Sequence, residues 1–413
     1  MKDIGMVIIG AGESGARAAV ELRAKGWAGS ITLIGNEDQL PYERPPLSKH
    51  QLYQDEEPIP TAIVTRQQIS DNRIQLISDD PAIKIDPVNH VVELKSGLSV
   101  PYERLLLAIG ARSRQLNVPG AGAQEILYLR NFADALRLRG RLQPRKHIAI
   151  IGGGFIGLEV AASAIAKGCR VTLIEVAPRI LMRGVPKEIA DEVEQLHRHN
   201  GVEFIVGKMI DSVDKTESGY RVVLADGSDV ACDVVLAGVG AIPETTLAED
   251  CGLEIENGIK VNEYLVTSDP DIWAAGDCCS FPHPLYGGRR IRLESWRNAQ
   301  NQGAHAAASM LGSLEPYASV PWFWSDQYDQ TLQVAGLTDG TEQIVFRDMG
   351  DAGKLYFHLA QDGRLVSVSG IGPEGGLSKN FRFAEMLAEK QAKPDPASLA
   401  DNAVSLKGLL KNS

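Results

Sequence analysis

Two glycine clusters are the residues of this chain whose spacing speaks most directly to chemistry. Gly10-Ala11-Gly12-Glu13-Ser14-Gly15 and Gly152-Gly153-Gly154-Phe155-Ile156-Gly157 both read G-x-G-x-x-G. Each follows a short apolar run, Met6–Ile9 and His147–Ile151, and each leads into an Ala-rich stretch of helical character. A strand, a glycine turn and a helix N-terminus together cradle a pyrophosphate. The glycines let backbone approach the phosphates, and the unpaired N–H groups of the first helical turn face the negative charge. Two such cradles imply two dinucleotides, the arrangement for passing a hydride from a nicotinamide to a flavin. An acid closes each unit, Glu37 in the first and Glu175 in the second, where a carboxylate meets an adenosine ribose hydroxyl. Glu175 repels a 2′-phosphate and predicts NADH over NADPH, although the nearby cations Arg179 and Arg183 oppose that preference. Arg183 and Gly240 count among the cofactor-binding candidates with Gly152, Gly154, Phe155, Ile156 and Gly157.

The elements that position these residues repeat. Strand 6–9, helix 14–25 and strand 30–34 make one βαβ unit; strand 147–151, helix 156–167 and strand 170–174 make the second. Alternation over 83–94 predicts antiparallel strands, with Val88–Leu94 as one of them. Leu105–Ala111 and Val234–Gly240 read as buried strands running into glycine, and Asp226-Gly227 as a turn after strand 220–224. After residue 244 the chain rejoins the first domain. From about 320 the composition shifts to short strands near 332–336, 342–347, 354–359 and 364–370, then helical patterning over 378–391. The tail beyond 393 reads as a polar helix at most. The expected domains are 1–112 with 245–319 for the first nucleotide, 113–244 for the second, and an α+β domain at 320–413. The fold class is α/β, with two Rossmann-type domains.

The 413 residues are 44% hydrophobic, enough for several cores. The net charge of −11 argues against nucleic acid. No apolar run approaches a membrane span and the N-terminus enters the first strand at once, so a soluble, cytoplasmic protein is expected. The cysteines, Cys169, Cys232, Cys251, Cys278 and Cys279, form no C-x-x-C and read as reduced thiols. No metal-ligand cluster of His and Cys is apparent.

Four segments carry a resemblance. Pro41-Tyr42-Glu43-Arg44-Pro45-Pro46-Leu47-Ser48-Lys49, Ala275-Gly276-Asp277, Glu294-Ser295-Trp296-Arg297-Asn298-Ala299-Gln300 and Pro321-Trp322-Phe323-Trp324-Ser325-Asp326-Gln327 resemble the FAD-dependent ferredoxin reductases. These are the NADH-linked reductases of bacterial ring-dioxygenase and cytochrome P450 chains. The match runs from residue 6 to about 337 and implies a glutathione-reductase-like fold. It implies that Gly10, Gly12, Ser14 and Gly15 hold the FAD pyrophosphate, Glu37 its ribose and Asp277 its ribityl chain. Arg44 falls near the diphosphate and Lys49 near the flavin ring, with Ala82, Arg130 and Glu294 among the flavin contacts. Trp296 opens a helix whose positive end faces the flavin pyrimidine. Lys49 and Glu159 match the family's ion pair, and Trp324 its indole over the nicotinamide; these three are the catalytic candidates.

Ile109 stands where threonine is common, and Glu244 where a neutral amide is usual. Related disulfide reductases place a redox cysteine pair beside the flavin, but no cysteine precedes position 169, so electrons must leave the flavin directly. The implied acceptor is an acidic [2Fe–2S] ferredoxin serving a terminal oxygenase. Its docking face would need local positive charge, and Arg289, Arg290, Arg292 and Arg297 are the candidates, with Lys379 and Arg382 further on. Two rivals remain open on sequence: reduction of a small acceptor such as a quinone (or of a rubredoxin), and a slow redox sensor akin to apoptosis-inducing factor.

Overall fold

The computed structural model describes residues 4–120, 122, 125–182 and 184–411. It divides into two compact units, one of Met1–Glu43, Pro60–Arg112 and Ile242–Pro321, the other of Arg44–Ile59, Ser113–Ala241 and Trp322–Ser413.

The first unit is built on a seven-stranded sheet. Its parallel part runs Ile74–Ile77, Ile31–Ile34, Gly5–Ile9, Ser99–Leu107, Ile272–Ala274 in spatial order. The central strands Gly5–Ile9 and Ile31–Ile34 are buried at every residue. A parallel strand covered on both faces needs apolar side chains on both, which is why these runs show no alternation. Helices Glu13–Ala24 and Trp296–Met310 lie side by side, and small residues let them close up. A Cβ on Gly303 would stand 2.3 Å from the Ser14 carbonyl oxygen.

Val91–Leu94 and Ala82–Asp86 continue this sheet in antiparallel fashion. The expected strand over 88–94 is shorter than the alternation suggests. Asp86 accepts hydrogen bonds from the N–H groups of Val88 and Asn89 and from the Asn89 amide, and His90 has φ +52°. This Asx-type turn takes residues 87–90 out of the ladder.

The second unit contains a four-stranded parallel sheet in the order Val202–Val206, Arg170–Glu175, His147–Ile151, Val234–Ala237. Helices Phe155–Ala166 and Lys187–His199 belong to it. A three-stranded antiparallel sheet, Ile210–Thr216, Gly219–Leu224 and Asp229–Cys232, follows in the same unit. A five-stranded antiparallel sheet completes it, in the order Trp322–Gln327, Gln330–Gly336, Leu365–Pro373, Lys354–Leu359, Gln343–Asp348. Trp322–Gln327 is an edge strand that the composition alone did not mark. It turns back through Tyr328, which adopts φ +56°, so that Gln327 pairs with Gln330.

The tail is better ordered than its polarity suggests. Pro396–Ala400 and Leu406–Lys411 are short helices that bury Leu399, Leu406 and Leu410. Arg347, 1% exposed, donates to the carbonyls of Ser398, Asp401 and Val404 and ties this segment down. No described helix is long and apolar enough to cross a membrane.

Candidate active site: two nucleotide cradles and a buried ion pair

The first cradle lies in the first unit. Gly10 has φ +109°, and a Cβ there would stand 2.1 Å from the Ala108 carbonyl oxygen; one on Gly15 would stand 1.9 Å from that of Gly10. Only glycine permits either approach. The helix that follows begins at Glu13, and its N-cap, Gly12, offers no side-chain cap, so the first N–H groups stay open to a ligand. Gly276 approaches from another segment with φ +83°. Around it, Ser14 Oγ and Gln302 Nε2 are buried without a hydrogen-bond partner among the described residues, while Gln302 Oε1 accepts from Gly276 N at 2.8 Å. Each orphan costs about 1–3 kcal/mol, so an oxygen-rich ligand fits this cradle well. Burial raises the carboxyl pKa of Glu13, opposed by Arg17.

Glu37 sits three residues past strand Ile31–Ile34 and accepts from Tyr42 OH at 2.6 Å. Ala82 opens the outer strand just after Asp79 and Asp80, whose N–H groups donate to the Glu37 and Gly35 carbonyls. Asp277 follows Gly276 and is half-buried. Trp296 is the first residue of a 15-residue helix, with Ser295 as its cap at 3.3 Å from Asn298 N. Glu294 is paired with Arg292. Arg44, Lys49 and Arg130 belong instead to the second unit, where Arg44 Nη1 donates to the Arg130 carbonyl at 2.7 Å.

The second cradle repeats the first. Gly152 has φ +109°, and a Cβ on Gly157 would stand 2.2 Å from the Gly152 carbonyl oxygen. Gly154 caps helix Phe155–Ala166 without a side chain. Glu175 is fixed rather than free: its two oxygens accept from Gly153 N at 2.6 Å and Ala177 N at 2.7 Å. Arg179 spends its guanidinium on the carbonyls of Ile180 and Val185 in its own loop. Arg183 lies outside the described residues. Phe155 packs edge-on against Phe323 at 4.8 Å, Ile156 is 48% exposed, and Gly240 has φ +106°.

Lys49, Glu159 and Trp324 come together in the second unit. Lys49 Nζ is 3.1 Å from Glu159 Oε1 and 3.8 Å from Asp326 Oδ2, and 5.2 Å from the centroid of the Trp324 ring. Lys49 is presented by the Pro45–Ser48 turn, and Ser163 Oγ holds that turn through the Ser48 and Lys49 carbonyls. Glu159 is on the buried face of helix Phe155–Ala166, 6% exposed. Ser48 Oγ donates to its Oε2, and Ser325 Oγ to its Oε1 at 2.7 Å. Along strand Trp322–Gln327 the side chains alternate. Trp322, Trp324 and Asp326 share one face, with the two indoles stacked at 5.2 Å and Trp324 Nε1 donating to Asp326 Oδ2 at 2.8 Å. Ser325 and Gln327 share the other, buried face. Ser48, Ser163, Ser325, Asp326 and Gln327 therefore belong to this site, with His197 Nε2 adjoining it at 2.7 Å from Gln327 Oε1. Ser48, Ser325, Asp326 and Gln327 lie inside the resembling segments 41–49 and 321–327 without an individual role, and Ser163 and His197 lie outside them. Residues 322–327 show no period-two pattern: three aromatics precede three polar residues, so each face of the strand carries both kinds.

Cys278 and Cys279 are fully buried and unpaired, and burial pushes the Cys278 thiol up to about 11. Among the described residues no group of three or more His, Cys, Asp and Glu is arranged to hold a metal. Glu244 is ion-paired with Arg112 at 2.9 Å. Of the four arginines expected to attract a partner, Arg290 donates to the Val261 and Ser280 carbonyls, and Arg292 to that of Asp277. Their side chains are only 21% and 12% exposed. Arg289 is exposed and lies over Tyr286.

A family model described as "Pyridine nucleotide-disulphide oxidoreductase" matches residues 5–303, which contain both cradles, and a "Reductase C-terminal" model matches 322–410. The chain belongs to the pyridine nucleotide-disulphide oxidoreductase family. Its fold is that family's, with the C-terminal sheet domain of the reductases. It is 38% identical to the ferredoxin–NAD(+) reductase component of the anthranilate 1,2-dioxygenase system of Burkholderia cepacia, over 98% of each chain. The crystal structure of the ferredoxin reductase for the CYP199A2 system of Rhodopseudomonas palustris superposes with TM-score 0.92 at 37% identity, covering 98% of this chain and 99% of that one. The covalent putidaredoxin reductase–putidaredoxin complex gives TM-score 0.92 at 33% identity, covering 99% of each.

Proposed function

We propose that this protein is an NADH:ferredoxin oxidoreductase, a flavoprotein that feeds single electrons to a [2Fe–2S] ferredoxin of a Rieske oxygenase or cytochrome P450 chain. The observation that carries this reading is the pairing of two glycine cradles with the Lys49–Glu159–Trp324 cluster in a chain with no cysteine before position 169. The likeness to ferredoxin–NAD(+) reductase components over nearly the whole length supports it.

FAD, when bound, accepts a hydride from NADH and gives up its two electrons separately to two ferredoxins, with release of one proton. The chain's own residues do the rest. Gly10, Gly12, Ser14 and Gly15 receive the FAD pyrophosphate, Glu37 its ribose and Asp277 its ribityl hydroxyls. Arg44, Ala82, Arg130 and Glu294 complete the FAD contacts. The N-terminus of helix Trp296–Met310 carries partial positive charge and would stabilise negative charge on a flavin held beside it. Gly152, Gly154, Phe155, Ile156, Gly157 and Gly240 take NADH, with Arg183 assigned to the same cofactor. Glu175, already accepting two backbone N–H groups, turns its remaining lone pairs to a ribose diol and repels a 2′-phosphate. Lys49, fixed by Glu159, is assigned to the flavin, and Trp324 to the nicotinamide. Neither Lys49 nor Glu159 acts as an acid or base; they hold charge and geometry. The FAD domain comprises 1–112 and 245–319, the NADH domain 113–244 and the C-terminal domain 320–413. The protein works in the cytoplasm, where NADH is made.

Steady-state cytochrome c reduction tests the reading. NADH should support it only when a [2Fe–2S] ferredoxin is added. Equal rates without ferredoxin, or faster turnover with a small quinone, would favour a small-molecule reductase instead.

A further inference from the structure

The buried side of the Glu159 cluster does not end at Ser325. Gln327 Nε2 donates to Ser325 Oγ at 3.0 Å. That fixes the amide, so Gln327 Oε1 must accept, and its neighbour at 2.7 Å is His197 Nε2. His197 therefore carries its proton on Nε2, and its bare Nδ1 accepts from Tyr328 OH at 3.2 Å. Every bond runs one way, from Tyr328 through His197, Gln327 and Ser325 to the carboxylate. His197 and Ser325 are 0% exposed and Gln327 is 3% exposed, so water does not interrupt the line. Three elements supply it: the C-terminal turn of helix Lys187–His199, the edge strand Trp322–Gln327, and the turn residue Tyr328. Donors aligned in a dry interior polarise one another toward the charge at the end.

We propose that Tyr328, His197, Gln327 and Ser325 form a one-way hydrogen-bond relay that positions the Glu159 carboxylate for Lys49, with His197 as its tautomer-locked link. The consequence for hydride transfer rests on the assignment of Lys49 and Glu159 made above; the relay itself does not. Glu159 Oε1 has two suitors, Ser325 at 2.7 Å and Lys49 at 3.1 Å, while Asp326 competes for the same ammonium from 3.8 Å. Without the relay, Glu159 is free to rotate away from the strand and Lys49 to lean toward Asp326. These four are positioning residues; none needs to touch a cofactor.

Two measurements on the FAD-loaded protein test this. The first is nitrogen NMR of labelled histidine. His197 should be the Nε2–H tautomer. In Glu159→Gln the terminal acceptor becomes an amide that can donate, which allows the chain to reverse, so a substantial fraction of His197 should move to the Nδ1–H form. Unchanged His197 resonances would overturn the relay. The second is stopped-flow reduction by NADH. Ser325→Ala should lower the limiting rate roughly tenfold with little change in NADH affinity, and the milder Gln327→Met should lower it less. Both losses should vanish in a Glu159→Gln background. Full losses persisting there would also overturn the relay. A tautomer shift with no change in any reduction rate would leave the relay standing and would instead remove Lys49 and Glu159 from hydride transfer.

Discussion

Mild acid should destabilise the second unit through its buried histidines. His197 is 0% exposed and His358 is 1% exposed, and burial lowers each from the usual 6.5 to about 4. Both are neutral in the folded protein across the physiological range. In the unfolded chain each takes a proton near pH 6.5. Between pH 6.5 and about 4 the unfolded state therefore binds more protons than the folded one, and stability must fall as pH falls. The contribution is complete above pH 6.5. For a shift from 6.5 to 4, linkage gives a loss of about 2 kcal/mol per histidine at pH 5, hence about 4 kcal/mol for the pair. That is a large share of the 5–15 kcal/mol typical of a domain. The assay is urea unfolding at several pH values from 7.5 to 4.5, followed by far-UV circular dichroism. The urea midpoint should drop steeply below pH 6. His358→Asn, which keeps a polar contact for Ser369, should start from a lower midpoint yet fall less steeply. A midpoint that stays constant from pH 7 to 5, or histidine resonances for these two residues that titrate near 6.5, would refute the reasoning.

Four substitutions have outcomes set by the geometry at the substituted residue. Gly15→Ala puts a methyl where the Gly10 carbonyl stands and should purify with little or no bound FAD, measured by flavin absorbance against protein. Glu175→Ala should relax NADH preference at least tenfold in the ratio of kcat/KM values for NADH and NADPH, and it should weaken NADH as well, because the two backbone N–H bonds of its loop are lost. Arg289→Glu should slow ferredoxin reduction mostly at low salt, whereas Arg290→Ala, which removes bonds to two backbone carbonyls, should cost roughly 1–3 kcal/mol of stability in urea. An unchanged salt dependence in Arg289→Glu would remove that residue from the docking face.

The parts legible in the sequence are those that local chemistry dictates. Gly10 and Gly152 both have φ +109°, a conformation that selects glycine and therefore prints itself on the chain. The fully buried strands around them print as apolar runs. The turn at 87–90 is masked in the sequence because Val88, Val92 and Leu94 fall on one period-two face while Asp86 takes over the backbone. Strand Trp322–Gln327 is not legible because its aromatics come first and its polar residues last, so each face mixes both and no alternation shows. The tail was underestimated because what holds it is Arg347, some fifty residues upstream. Of the candidate site, Lys49, Glu159 and Trp324 were named through resemblance, and the structure brings them together. Ser48, Ser325 and Gln327 lie within the resembling segments, but nothing in the sequence joins them to one another or to His197. Each is an ordinary polar residue alone, and only the packing of helix, turn and edge strand makes them neighbours.

The central claim is that one chain takes in an electron pair as a hydride and lets the two electrons out singly. Anaerobic stopped-flow spectroscopy of the FAD-loaded protein measures both halves. One equivalent of NADH should bleach the flavin, and oxidised [2Fe–2S] ferredoxin mixed in afterwards should restore its colour with two ferredoxins reduced per flavin. A polypeptide that binds no flavin, or a reduced flavin that ferredoxin leaves bleached, would contradict the account.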